Sequence, residues 1–146
     1  MAVTLKVVKT HDRVTLPQYE TEGAAGLDLR AFLETDIAIP SLGRAKIPTG
    51  LKIEIPVGFE AQVRPRSGLA LKTGLTVLNS PGTIDSDYRG DLDIILVNLG
   101  AESVTIKDGE RIAQLVVAPV SRVVVTETDC LSVTMRGGAG FGSTGV

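Results

Sequence analysis

A chain of 146 residues with a formal net charge of −2 has the length of one domain, and its charge balance argues against a basic nucleic-acid-binding footprint. The single cysteine, Cys130, cannot close an internal disulfide, which points to a reducing compartment, and no apolar run is long enough to span a bilayer. With no Trp and only 3% aromatic residues, the core must be built from Val, Ile and Leu.

The N-terminal stretch Met1–Thr10 alternates Lys with Val and Leu. It lacks the continuous apolar segment of a secretory signal, so the expected location is cytoplasmic. Its Thr4–Val8 portion predicts a first strand. Ala25-Gly26-Leu27-Asp28-Leu29-Arg30 then places one acid after a Gly-containing turn, which alone reads as an ordinary strand start. Further Val/Ile-rich runs predict strands at Asp36–Ile39, Ala45–Pro48, Leu51–Ile55, Phe59–Val63, Leu75–Val77, Leu92–Asn98, Val104–Ile106, Arg111–Val117 and Val123–Thr126. Pro40, Pro48, Pro56 and Pro81 fall at the ends of these runs, where a missing N–H does least damage. Ile94-Ile95-Leu96-Val97 is apolar at every position, which predicts a strand covered on both faces. Only Ser67–Thr73 has helical character, and Gly74 stops it. Many short strands between regular turns predict an all-β fold, a sandwich or a jelly-roll-like distorted β-barrel. Arg136–Val146 is too rich in Gly to bury a core or hold a helix and is expected to be mobile without a ligand. The chain therefore divides into a barrel over 1–135 and a C-terminal arm of the same domain over 136–146.

Several segments carry potential chemistry. Asp85, Asp87, Arg89, Asp91 and Asp93 lie two apart, so an extended strand would put them on one face. Spacing alone leaves two readings open: a solvated hairpin face, or an acid cluster in which a carboxylate takes a proton from water. On the same assumption Tyr88 falls on the opposite face with Ile84 and Ser86, as a half-buried aromatic. In Arg64-Pro65-Arg66-Ser67-Gly68, two guanidinium groups precede the only helix, and both a helix N-terminus and an arginine fork suit phosphate oxygens. Ser67 also reads as a plain helix cap. Gly140-Phe141-Gly142-Ser143-Thr144-Gly145 matches G-x-G-x-x-G in form, but no helix can follow it, so a dinucleotide fold is rejected. The run still offers N–H groups and hydroxyls to phosphates, and Phe141 a face for stacking on a base. Gln114, in an apolar strand, needs a polar partner. His11 is the only His, which speaks against a His-based metal site or a Ser–His pair. Any metal should be hard, oxygen-ligated and carried largely by phosphates, as Mg²⁺ is.

Taken together, Ala25–Ala31, Pro65–Ala70, Asn79–Asp91, Arg111–Leu115 and Arg136–Gly145 resemble, in order, the five motifs of the trimeric deoxyuridine triphosphatases (dUTPases). The resemblance implies a homotrimer with active sites shared between subunits, no nucleic-acid or membrane partner, and hydrolysis of dUTP to dUMP and pyrophosphate with Mg²⁺ on the triphosphate. It implies that Asp85 activates water and contacts the 3′-hydroxyl, and that Tyr88 packs where a ribose 2′-hydroxyl would clash. Asn79 and the main chain at Thr83, Ile84 and Asp93 would read uracil. Arg66, Ser67, Gly68 and Gln114 would hold the phosphates, and Asp28 would reach the metal through water. From the arm, Arg136, Gly142, Ser143 and Thr144 would close on the phosphates while Phe141 stacks on the base. Two positions depart from the family's usual pattern: Ala139 replaces a Gly, and Asp91 a Glu. The competing readings are a dCTP deaminase, which needs a Glu base, and a non-catalytic nucleotide-binding homologue.

Overall fold

The computed structural model describes residues 2–145. Ten strands and one helix follow in the order β1 (Lys6–Lys9), β2 (Leu27–Arg30), β3 (Ile37–Ile39), β4 (Arg44–Glu54), β5 (Phe59–Arg64), α1 (Ser67–Thr73), β6 (Leu75–Val77), β7 (Gly82–Ile84), β8 (Asp91–Asn98), β9 (Val104–Ile106) and β10 (Arg111–Pro119). They form two four-stranded antiparallel sheets, ordered β1-β4-β8-β6 and β2-β10-β5-β7, and a two-stranded β3-β9 ribbon. The all-β expectation holds. Alternate residues point inward, and Ile47, Leu51 and Ile53 of β4 with Leu92, Ile94 and Leu96 of β8 meet Leu29, Ala61, Val63, Ile112 and Leu115 of the other sheet in one core. No helix among the described residues is long and apolar enough to cross a membrane.

Several elements differ from the expected pattern. The runs Ala45–Pro48 and Leu51–Ile55 are one strand, β4, with a bulge between Pro48 and Lys52 where its register against β8 shifts. Gly50 takes φ 71° there, and the Thr49 hydroxyl donates to the Leu92 carbonyl at 2.6 Å. A bulge leaves main-chain groups unpaired in any case, so it tolerates a proline inside a long strand. Val123–Thr126 is not a strand: Val124 is 92% exposed, and no sheet edge of the same chain pairs with it. Within Ile94–Val97 only one face is fully covered, because a two-layer sandwich shields one side of each sheet, and Ile95 remains 37% exposed. Gly74 ends α1 as expected, with φ 76° and its N–H bonded to the Ala70 carbonyl.

Asn98, at the end of β8, is fully buried and satisfied: its amide donates to the Ile39 and Glu102 carbonyls and accepts from Gly100 N–H. Asp108 closes the other end of the sandwich. It accepts from Leu33 N–H at 2.8 Å and pairs with Arg13, which stacks 4.6 Å over Phe32. The Leu33 hydrogen bond, reinforced by Arg13 against the opposing effect of burial, holds the Asp108 carboxyl below the usual Asp range. A depressed folded-state value means that the stabilisation is complete above the unfolded pKa and is lost as pH falls through the folded one. Asp108→Ala is therefore expected to cost about 1 kcal/mol near neutral pH, the carboxylate being open to solvent on one side. Urea denaturation should show the gap to wild type closing below about pH 4.

Candidate active site

The turn Ser86–Gly90 separates β7 from β8, so the five alternating residues from Asp85 to Asp93 do not share one strand face. Their side chains part company. Asp93 pairs with Lys46 at 3.2 Å and Asp91 lies 3.8 Å from Lys52. Arg89 turns away from these acids towards the Ser86 and Tyr88 carbonyls and Glu54. Tyr88 is exposed rather than half-buried. Its hydroxyl donates to the Asp91 carbonyl at 2.8 Å, and its ring lies against Gly90, where a Cβ would overlap the phenol.

A cavity of about 410 Å³ opens at this hairpin, lined by Asn79, Thr83, Ile84, Asp85, Tyr88 and Asp93 among others. Its floor is an incomplete sheet edge. Strand β6 pairs with β8 only from Leu96 to Asn98, and Leu78 N–H reaches the Ile95 carbonyl just beyond. Alternate residues of a strand direct their main-chain groups to the same edge, so the N–H and C=O of Asp93 face the edge that β6 leaves open. The cavity thus combines a carboxylate, an aromatic face, a carboxamide and a free main-chain donor–acceptor pair.

A second cluster sits on the other sheet. Asp28, Gln114 and Arg64 lie side by side in register across β2, β10 and β5. The Asp28 side chain is only 14% exposed, with one oxygen 3.7 Å from Arg66 Nε and the other 3.3 Å from Arg111 Nη1. Arg66 also donates to the Arg111 carbonyl. Gln114 finds the partner its strand demands: its amide donates to the Pro65 carbonyl at 3.0 Å. Gly26 makes this possible, because a Cβ there would overlap Gln114 Oε1. Ser67 does not cap α1: the N-cap is Arg66, no side chain bonds the first turn, and the Ser67 and Gly68 side of the helix is exposed.

The structure therefore gathers the anticipated residues into two groups and leaves a third apart. Ile84 pairs with Ala61, and Gln114 pairs with Arg64 at the opposite end of β5. That offset puts Asp85 about four residues, roughly 13 Å, from the Gln114 row. Arg136, Phe141, Gly142, Ser143 and Thr144 join neither group. They are exposed and held by local turns such as Arg136 Nε to the Ala139 carbonyl. Ala139 does not take positive φ; Phe141 does, at 50°. Sequence reasoning missed the Arg111–Asp28 pair, the room left by Gly26 and the clamp formed by Arg89. Only Gly26, beside the acid in its motif, carried a visible signal.

The sequence model of the dUTPase family matches residues 12–145. The chain belongs to the dUTPase family. It is 52% identical over 143 residues to the deoxyuridine 5′-triphosphate nucleotidohydrolase of Fusobacterium nucleatum, covering 98% of this chain and 97% of that one. With the Rhizobium etli enzyme of the same name, identity is 58% over 133 residues, 90% of this chain and 85% of the other. Among solved structures, the Staphylococcus bacteriophage 80alpha dUTPase with dUPNHPP superposes with a TM-score of 0.85 at 29% identity, covering 98% of this chain and 99% of that one. For this dUTPase-family chain, Gly26→Ala is expected to swing the Gln114 amide off Pro65 and to lower stability by about 1 kcal/mol. An unmoved Gln114 in the variant's crystal structure, with a wild-type melting temperature, contradicts the cradle.

Proposed function

We propose that the protein hydrolyses dUTP to dUMP and pyrophosphate, in the cytoplasm, with Asp85 as the general base. The observation that carries this reading is the hairpin cavity, where the Asp85 carboxylate, the Tyr88 ring, the Asn79 amide and the free main-chain edge at Asp93 converge. Family membership supports it. Asp85 takes a proton from water as the water oxygen attacks the α-phosphorus. The bond from that phosphorus to the α,β-bridging oxygen breaks opposite, and pyrophosphate leaves. General-base assistance of this kind contributes about 10²–10⁴-fold; the rest comes from alignment and charge neutralisation.

Uracil presents a ring N–H beside carbonyl oxygens, which complements the free N–H and C=O of Asp93, with Asn79, Thr83 and Ile84 completing the edge. Cytosine reverses one donor and one acceptor and leaves a buried polar group unpaired, at about 1–3 kcal/mol. Tyr88, anchored at both its hydroxyl and its backbone, occupies the space of a ribose 2′-hydroxyl. Arg66, Ser67, Gly68 and Gln114 take the phosphates. Among the described residues no group of three acids, His or Cys stands ready as a metal cage. Asp28 alone offers a carboxylate oxygen in this cluster, its charge shared with Arg66 and Arg111, and a single protein carboxylate fits an Mg²⁺ held mainly by phosphate oxygens and water. Asp28 would help hold the ion through water, and the ion would supply positive charge against the triphosphate.

The roughly 13 Å offset along β5 keeps Asp85 away from the phosphate residues of its own chain. We therefore assign each site to more than one copy of a homotrimer: the hairpin of one, the Asp28–Arg66–Gln114 cluster of a second, and the arm 136–146, including Arg136, Phe141, Gly142, Ser143 and Thr144, of a third. The exposed Val123, Val124, Val125, Leu131 and Val133 that lead to the arm support this, being too apolar to stay uncovered.

Asp85→Asn is expected to bind dUTP normally while single-turnover pyrophosphate release slows by at least about 10²-fold; a near-normal rate removes Asp85 from its role. Subunit sharing has its own test. Asp85→Asn and Arg66→Ala, each inactive alone, are expected to regain activity when unfolded together and co-refolded, because a mixed trimer contains an intact site. No recovery in trimers shown to be mixed contradicts the shared arrangement.

A further inference from the structure

The turn that carries Asp85 and Tyr88 has six residues between the Ile84 and Asp91 strand ends and little packing of its own. Its local hydrogen bonds are Tyr88 N–H to the Asp85 carbonyl at 3.2 Å and the Tyr88 hydroxyl to Asp91. Arg89 adds what the turn lacks. Its Nη1 carries two N–H groups and serves two carbonyls, Ser86 at 2.7 Å and Tyr88 at 3.0 Å, while its Nε lies 4.0 Å from Glu54 Oε2. Glu54 is in turn fixed by Lys6 Nζ at 2.8 Å, in the register that pairs Lys6 with Glu54 across β1 and β4. A planar fork bridges two main-chain oxygens and a carboxylate at fixed angles; a lysine's single ammonium on a flexible stem does not.

We propose that Arg89 is a positioning residue for the reaction. By stitching the Ser86 and Tyr88 carbonyls and hitching them through Glu54 to the β1–β4 pair, it sets the relative position of the Asp85 carboxylate and the Tyr88 ring. This inference rests on the roles assigned above to those two residues. Arg89 touches neither water nor nucleotide in that scheme. Its influence is on where the base and the sugar gate stand, so it acts on turnover and on deoxyribose selectivity together, and not on phosphate affinity. Glu54 contributes through Arg89 alone, and its removal leaves both carbonyl bonds in place. The effects are therefore graded.

The test uses Arg89→Ala, Arg89→Lys and Glu54→Gln in the 146-residue chain. For Arg89→Ala, kcat for dUTP is expected to fall about 10–100-fold, the scale of a sub-ångström to 1 Å misplacement. The dUTP/UTP ratio of kcat/KM should fall as well, with pyrophosphate inhibition unchanged. Arg89→Lys should fall short of wild type, and Glu54→Gln should lose less than either. The chain has two tyrosines and no Trp, so in a Tyr19→Phe background Tyr88 is the sole fluorophore. Its steady-state anisotropy, read without nucleotide, is expected to drop in Arg89→Ala. Wild-type anisotropy in that variant overturns the tether whether or not the protein proves to act on dUTP. Unchanged kcat and unchanged dUTP/UTP ratio overturn it too, as does a loss that merely follows melting temperature at constant selectivity. A wild-type protein that releases no pyrophosphate from dUTP sinks the reading of the site instead, and anisotropy then decides the tether alone.

Discussion

Strand β8 is paired along its whole length on one edge and along only part of it on the other, and the candidate site depends on that asymmetry. Strand β4 supplies the full edge, interrupted by a bulge at which the Thr49 hydroxyl bonds the Leu92 carbonyl. Strand β6 supplies the partial one, stopping at Leu96. Backbone N–H and C=O groups left without a strand must find another partner. Tyr88 takes one of them, the Asp91 carbonyl, and so the aromatic ring is placed by the same vacancy that leaves Asp93 free to meet a planar, hydrogen-bonding ligand. A longer β6 would close the cavity and leave Tyr88 without its anchor.

Two glycines act by what they omit. Gly90 lets the Tyr88 ring lie against the chain, and Gly26 lets the Gln114 amide turn to Pro65. Neither takes positive φ, so it is the space, not the conformational freedom, that the site uses. Charge is arranged with similar economy around Asp28. A carboxylate this shielded is tolerated because Arg66 and Arg111 flank it, and those same guanidinium groups retain donors for an anion. Within one chain β5 holds Asp85 and the Asp28 row at opposite ends.

Much of the fold was legible because it rests on local rules. The helix Ser67–Thr73 with its Gly74 stop, and the strands Leu75–Val77 and Val104–Ile106, lie where periodicity and punctuation put them. The misreadings are instructive. Splitting β4 at Pro48 treated a proline as a strand end, whereas a bulge accommodates it. Reading Asp85 to Asp93 as one face assumed an unbroken strand across a turn that Arg89 holds folded. Reading Val123–Thr126 as a strand assumed pairing with a sheet edge, and among the described residues no edge pairs with it.

By itself the amino-acid sequence determined the fold class and the family and nominated candidate site residues, because alternation, turn chemistry and ordered motifs are written in neighbouring positions. Only the tertiary structure decided which of those residues meet. Asp85 and Gln114 are set apart by the register of β7 and β10 on β5; Asp28 is bracketed by arginines from two distant segments; the Asp93 edge is open because β6 ends early. Register, strand length and the overlap of side chains with a missing Cβ are properties of residues far apart in the chain, and no local pattern encodes them.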